Sequence, residues 1–358
     1  MQFNNIYRNK KILVTGSSGF KGTWLVIWLT FLGARVYGVS FDEKGFTSHL
    51  MQNDKKFKNY KIDINNYKKI ENLIREIKPQ IIFHLAAQPL VLKSYKKPID
   101  TWSTNLFGTN NLLEICRNVN FLKSIIIITS DKCYKDTKNK TKYMEDDTLG
   151  GHDPYSASKA ATEILVESYR QSFFVNKYSP NLVTARAGNV IGGGDWGENR
   201  IIPDIIRSYI SNKTLEIRNP EAVRPWQHVL DCLSGYLSLG QHTLSNDTIF
   251  HYSYNFGPGL KDRKSVKQLY NKLEKNFFQL KYKINKNNHK KKESDYLFLD
   301  SSRAKKYLKW KPILNFDETI KFTSDWYAAY CKNKSIIYKY QLNQYFEFAK
   351  RRKAFWIK

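Results

Sequence analysis

Along the chain, short unbroken apolar runs alternate with longer stretches in which apolar residues recur at helical spacing. Lys11 to Val14 reads as a strand that meets a glycine turn, and Trp24-Leu25-Val26-Ile27-Trp28-Leu29 as the buried body of a helix. Gly33 stands where a helix C-cap belongs, and Arg35 to Val39 is the next strand. The alternation continues through a strand at Lys61-Ile62-Asp63-Ile64, a helix over Tyr67 to Ile77, a strand over Gln80 to Leu85, a helix from about Asn105 to Asn118, and a strand over Ser124 to Ser130. Apolar strands separated by helices predict a parallel sheet covered on both faces, an α/β doubly wound fold that takes its ligands at the C-terminal ends of the strands. After Arg186 the pattern loosens into Gly-rich, aromatic and basic segments, read as a smaller C-terminal lobe interleaved with the last strands of the sheet around Val229 and Tyr254.

The bulk properties narrow the classes. A chain of 358 residues, 41% hydrophobic and 15% aromatic, can bury a sizeable core and is not of disordered composition. The net charge of +27, from 59 Lys+Arg against 32 Asp+Glu, would by itself suggest a polyanionic partner. The lysines are scattered among Asn and Ile, however, and no nucleic-acid-binding module is recognisable, so the excess reads as composition bias that also suits a phosphate-bearing substrate. Cys116, Cys133, Cys232 and Cys331 show no C-x-x-C spacing, so reduced thiols in the cytoplasm are expected, and no metal site. The first ten residues lack the apolar core of a signal peptide, and the longest apolar stretch, Trp24 to Ala34, is about half the ~20 residues a membrane span requires.

Three motifs fall where the fold predicts ligands. Gly16-Ser17-Ser18-Gly19-Phe20-Lys21-Gly22 is a G-x-x-G-x-x-G loop between a strand and a helix, where glycines let the backbone approach a pyrophosphate at the helix N-terminus. This is a Rossmann-like dinucleotide site. Asp42 is the candidate grip on the adenosine ribose, which favours NAD over NADP, although Ser40 stands where the strand-end residue could equally be. Asp63 is placed either for the adenine or as a helix N-cap, and His84 reads as a satisfied core histidine. Tyr155 and Lys159 lie four apart behind Asp153, a natural N-cap with Pro154 at the first helical position, and so share one helix face. A nearby ammonium is expected to lower the tyrosine's pKa towards that of a base for a sugar hydroxyl. Ser130-Asp131-Lys132 follows a strand in the same predicted crevice.

Together these residues resemble the extended short-chain dehydrogenase/reductase family and, within it, the CDP-glucose 4,6-dehydratases. The resemblance runs to about residue 345 and is most specific at Gly19-Phe20-Lys21-Gly22, His84 to Val91, Thr129 to Tyr134, Arg186 to Trp196 and Arg224-Pro225-Trp226-Gln227-His228-Val229. It implies NAD as cofactor and CDP-glucose as substrate, with Tyr155, Lys159, Ser130, Asp131 and Lys132 catalytic. Hydride would leave C4 while Tyr155 takes the O4 proton, water would leave from C6, and the hydride would return to C6. Asp131 would be the general acid. Lys132 stands where related dTDP-glucose dehydratases carry a glutamate, and would be either the C5 base or an electrostatic stabiliser of the enolate.

The same resemblance implies cofactor contacts from Gly16, Ser18, Gly19, Phe20, Lys21, Gly22, Asp42, Asp63, Ile64, Ala86, Ala87, Gln88 and Thr129, besides Tyr155 and Lys159. Substrate contacts would come from Gln88, Asn189, Arg200, Ile202 and Arg224. Lys292-Glu293-Ser294-Asp295-Tyr296 departs from the family's pattern, which puts nucleotide contacts from that region in doubt. The expected division is an NAD-binding domain over residues 8–185 and 229–257, a sugar-nucleotide lobe over 186–228 and 258–345, and a basic tail over 346–358. A homodimer or homotetramer feeding surface-polysaccharide synthesis is also implied. The competing readings are another nucleotide-hexose dehydratase or 4-epimerase, a non-catalytic NAD(H)-binding regulator, and, from charge alone, a nucleic-acid binder.

Overall fold

A computed structural model describes residues 1–41, 54–137, 142–245, 251–275, 282–284 and 298–358. The chain opens as β1 (Lys11–Thr15), α1 (Phe20–Phe31), β2 (Arg35–Ser40), β3 (Phe57–Lys61), α2 (Tyr67–Ile77) and β4 (Ile81–His84). Next come short helices at Val91–Lys96 and Pro98–Trp102, a π-type turn at Ser103–Phe107, α3 (Gly108–Arg117), β5 (Ser124–Ile128), α4 (Pro154–Phe173) and β6 (Asn181–Ala187). These strands, with β11 below, form one parallel sheet in the order β11-β6-β5-β4-β1-β2-β3. The fold is therefore the expected doubly wound α/β sheet. It reverses between β1 and β4, which opens a crevice at their C-terminal ends.

The C-terminal part interleaves as β7 (Val190–Ile191), a helix at Ile201–Ile210, β8 (Leu215–Ile217), β9 (Val223–Pro225), β10 (Gln227–His228), α5 (Val229–Leu244) and β11 (Ser253–Phe256). It closes with β12 (Arg263–Ser265), a helix at Val266–Glu274, β13 (Tyr282–Ile284), a helix at Ser302–Tyr307, α6 (Phe316–Asn333) and α7 (Tyr338–Arg351). Parallel pairing of β7 with β10 and antiparallel pairing of β9 with β12 fold this part over the crevice.

Three expectations are corrected. The third strand runs 57–61, not 61–64. As the sheet's edge it carries Lys58 and Lys61 and is nowhere fully buried, so it offers no apolar run to read. Val229 does not lie in a strand but begins the sixteen-residue α5, capped by the His228 ring accepting from the Leu230 amide at 3.2 Å. Residues 346–358 are not a free tail. Phe346, Ala349, Ala354, Trp356 and Ile357 are buried, Trp356 stacks on Phe3 with ring centroids 5.0 Å apart, and Ile357 bridges to Gln2.

Two buried fixtures lock the C-terminal part to the sheet. Asp231 in α5 accepts from the amides of Ile313 (2.7 Å) and Leu314 (3.0 Å) and from the Tyr345 hydroxyl (2.7 Å). Gly193 offers its carbonyl to the Trp24 indole at 2.9 Å, and a Cβ on it would lie 1.9 Å from Cγ of fully buried Trp326. Part of the Gly192-Gly193-Gly194 signature therefore makes room for aromatic packing. Gly193→Ala is expected to cost at least about 2 kcal/mol through overpacking, read as a lower urea midpoint at unchanged m; an unchanged midpoint would show that the Trp326 ring yields freely.

Candidate active site

Gly16 has φ +72°, and a Cβ there would stand 2.7 Å from the Ala86 nitrogen and 2.8 Å from the Leu85 carbonyl carbon. The loops after β1 and β4 thus lie backbone against backbone. A Cβ on Gly22 would reach within 2.0 Å of the Gly16 carbonyl oxygen, so α1 begins directly beneath the turn, with Gly19 as its N-cap and Ser18, Phe20 and Lys21 around it. This cradle, which any side chain would fill, fits the pyrophosphate of a dinucleotide. Ser17 Oγ donates to Asn59 Oδ1 (2.7 Å), and Asn59 Nδ2 donates to Ser40 Oγ (3.0 Å), which ties the turn to the ends of β2 and β3. Strand β2 ends at Ser40, and Asp42 lies outside the described residues. Asp63 accepts from the Asn65 amide (2.9 Å) in an Asx turn. The N-cap of α2 is Asn66, through the Lys69 amide (3.1 Å), so the capping alternative for Asp63 is overturned.

His84 is the satisfied core histidine expected. Its ring bonds the Thr15 hydroxyl (2.7 Å) and the Thr109 hydroxyl (3.0 Å), and burial first, then the Lys159 charge, pushes its pKa down to about 3. Ala86 and Ala87 follow in the small-residue loop, where the Ala86 amide donates to Thr15 Oγ1 at 3.2 Å. The Gln88 carboxamide is already engaged with the Leu90 backbone (2.8 and 3.1 Å) and the Thr101 hydroxyl (3.0 Å), so this side chain builds the loop. Ile64 is likewise buried, against Gly108. Asn105, which the sequence did not single out, sits in the π-type turn and joins the Gln88 amide (2.7 Å) to the Ser158 hydroxyl (2.9 Å) of α4.

The catalytic candidates converge. Asp153 caps α4, its Oδ1 accepting the Tyr155 and Ser156 amides at 3.0 Å each, and this aims Tyr155 and Lys159 back at the end of β5. Ser130, Asp131, Tyr155 and Lys159 are all buried. Ser130 Oγ donates to Asp131 Oδ1 (2.8 Å), and Ser130 stands close enough to Tyr155 to act on its phenol. Half-buried Lys132 follows in the short 3-10 turn Asp131–Cys133, its amide donating to Ser130 Oγ at 3.3 Å. Burial raises the Asp131 carboxyl above its ordinary range, against the opposing charges of Lys132 and Arg224 and the Ser130 hydrogen bond. A carboxyl that holds its proton suits a general acid.

The expected lowering of Tyr155 by Lys159 is not what the structure contains. Burial pushes the Tyr155 phenol up to about 12, against the nearby Ser130 hydroxyl and the Arg200 charge. The Lys159 ammonium instead donates to the Ile128 carbonyl at 3.2 Å, and burial together with the Lys21 charge pulls its own pKa down to about 8. Lys21 in turn donates to the Tyr236 hydroxyl at 3.2 Å. Thr129 does not offer its hydroxyl to the crevice either, because that hydroxyl donates to Glu163 Oε1.

From the C-terminal part, Gly188 and Pro225 close over Asp131, since a Cβ on Gly188 would lie 3.1 Å from Asp131 Oδ2 and 3.7 Å from Pro225 Cγ. The Asn189 carbonyl accepts the Gln227 amide at 3.1 Å, and Arg224 stands on β9 near enough to act on the Asp131 charge. Arg200 Nη1 forks onto Asp195 (3.0 and 3.1 Å), and its charge reaches Tyr155. Ile202 is only 2% exposed and packs in the hydrophobic core. The Lys292 to Tyr296 segment lies outside the described residues. Among those described, no group of acidic, His and Cys side chains could hold a metal, no helix is long and apolar enough to cross a membrane, and the four cysteines are unpaired.

Residues 13–323 match the family model described as GDP-mannose 4,6 dehydratase. A CDP-glucose 4,6-dehydratase of Salmonella typhimurium is 40% identical over 340 residues, covering 93% of this chain and 94% of that protein. Two solved structures share the fold. The UDP-glucose 4-epimerase of Thermotoga maritima with UDP-glucose has TM-score 0.76 and 24% identity, over 89% of this chain and 98% of its own. The dTDP-glucose 4,6-dehydratase of Bacillus anthracis with NAD has TM-score 0.74 and 21% identity, over 89% and 96%. With its site built on a buried Ser130-Asp131 and Tyr155-Lys159 constellation, the chain belongs to the GDP-mannose 4,6 dehydratase family and is an enzyme of the nucleotide-sugar 4,6-dehydratase class.

Proposed function

We propose that the protein converts CDP-glucose to CDP-4-dehydro-6-deoxy-glucose and water, with NAD held in the cradle of Gly16, Gly19 and Gly22. The observation that carries this reading is the burial of Ser130, Asp131, Tyr155 and Lys159 together, with the Ser130 hydroxyl on the Asp131 carboxyl. A dehydratase needs a base at the sugar O4 and an acid at the C6 hydroxyl of the same ring, and an epimerase needs only the first.

NAD, when bound, supplies the hydride acceptor for C4, the donor for C6 and a cationic ring whose charge draws the Tyr155 phenol towards ionisation. Tyr155 takes the O4 proton, and Ser130 orients that oxygen. Asp131, its pKa raised by burial, gives its proton to the departing C6 hydroxyl. Lys132, next to it, takes the C5 proton or stabilises the enolate that its loss creates. Arg224 suits the diphosphate as a forked guanidinium, and Asn189 and Arg200 are further substrate contacts in this reading. We further propose a homodimer or homotetramer with this site in the cytoplasm. Tyr95, Ile99, Phe107 and Ile164 support it as exposed apolar residues on neighbouring helices. Sedimentation at micromolar concentration should give a dimer or tetramer, and a monomer there would refute it.

The substrate is tested by incubating purified protein with CDP-glucose, dTDP-glucose and GDP-mannose in turn and following the alkali-sensitive absorbance of a 4-keto-6-deoxy sugar. Product is expected from CDP-glucose, and its absence with that substrate would overturn the reading. Lys132→Ala is expected to keep dinucleotide binding while dehydration falls by about 100-fold or more. Turnover near that of the wild type would remove Lys132 from the chemistry.

A further inference from the structure

Directly behind the catalytic quartet lies a cluster of buried charges that the mechanism above does not use. Glu163 is four residues beyond Lys159 on α4 and fully inside the protein. Its Oε1 accepts from the Thr129 hydroxyl, and its Oε2 accepts from the Thr184 hydroxyl (2.8 Å) and from Arg186 Nη2 (2.8 Å). Thr129 immediately precedes Ser130, and its amide pairs with the Ala185 carbonyl at 3.0 Å, so Glu163 grips the ends of β5 and β6 together.

Arg186 carries the chain of contacts onward. Its Nη1 donates to the Tyr134 hydroxyl and the Glu145 carbonyl, both at 2.8 Å, and Tyr134 donates to Asn255 Oδ1 at 2.8 Å. The Asn255 amide donates to Glu145 Oε1 (2.9 Å), and Arg303 lies 3.6 Å from Glu145 Oε2 and 2.5 Å from Asp146. An unbroken polar line therefore runs from the residue before Ser130 to the segment at 298–303.

We propose that Glu163 and Arg186 are positioning residues: a buried ion pair that holds α4 and the Ser130-Asp131 strand end in one register and couples that register to the C-terminal lobe through Tyr134, Asn255 and Glu145. A purely stabilising role would be better served by apolar side chains, because desolvating two charges offsets most of their attraction. Here the carboxylate accepts three hydrogen bonds, from Thr129, Thr184 and Arg186. The pair also sets the charge seen by Lys159, which is faced by Lys21 from α1, His84 from β4, Cys133 from the turn after β5, and Tyr155 and Glu163 from its own helix. Among these Glu163 is the acidic group that favours the charged amine.

The proposal rests on Tyr155 and Lys159 acting as proposed above, and its test is separable from the substrate reading. In Glu163→Gln, kcat should fall at least about tenfold with KM within about twofold. The alkaline limb of the kcat profile, where Lys159 loses its proton near pH 8, should move down by about half a pH unit. Arg186→Lys keeps the charge but loses the fork, so kcat should fall and the limb stay in place. Should Glu163→Gln not fold, Glu163→Gln/Arg186→Met removes both charges at once; it is expected to fold and still lose turnover. Wild-type kcat and an unmoved limb in the folded variants, or wild-type kcat in the double variant, would overturn the proposal. Tyrosinate absorbance of the NAD-loaded protein, taken as the difference from Tyr155→Phe, makes the comparison without any sugar. Glu163→Gln should shift that titration to lower pH, and coincidence with wild type would count against the pair even if CDP-glucose proves to be the wrong substrate.

Discussion

The constraint on which the crevice depends is the contact between the turn after β1 and the loop after β4. Reversal of the sheet between these neighbours brings Gly16 onto the Leu85-Ala86 backbone, with no space for even a methyl group. Thr15, His84 and Thr109 lock the two strand ends from below by hydrogen bonds of 2.7 and 3.0 Å. From that point Gln88 and Asn105 carry the geometry across to Ser158, and thereby to the helix bearing Tyr155 and Lys159. The dinucleotide cradle and the proton-transfer groups are in this sense one construction.

Burial governs the chemistry of the site. It raises the pKa of Asp131, the proposed acid, and it also resists ionisation of Tyr155, the proposed base. Lys159 and Lys21 repel one another inside the same wall, which leaves Lys159 poised near neutrality with its proton shared to the Ile128 carbonyl. Behind them Glu163 and Arg186 neutralise each other, so the site's charge balance is set by groups that never meet the substrate.

Much of this was legible in the residues. The α/β alternation, the glycine turn, Asp153 as cap and the convergence of Ser130-Asp131 with Tyr155-Lys159 follow from spacing, because caps and helix faces are local properties. The edge strand 57–61 was not, since one face of an edge needs no apolar side chains. The resemblance implied ligand contacts from Ile202, Gln88 and Thr129 without showing their internal partners, which are the core for Ile202, the Leu90 backbone and Thr101 for Gln88, and Glu163 for Thr129. Glu163, Asn105 and Asn255 were missed, and Arg186 was given no role, because partners that lie up to 121 residues away leave no local pattern in the sequence. The one available hint was that a charge four residues past Lys159 should lie on the same buried face.

The central claim is that oxidation at C4 and reduction at C6 occur within one buried site, on one substrate molecule, without exchange of the migrating hydride with solvent. It is tested most directly by turning over CDP-glucose carrying deuterium at C4 and locating the label in the 4-keto-6-deoxy product. The account predicts deuterium at C6 of the same sugar and solvent hydrogen at C5. Label lost to water, or still on C4 of a product epimerised there, would contradict it.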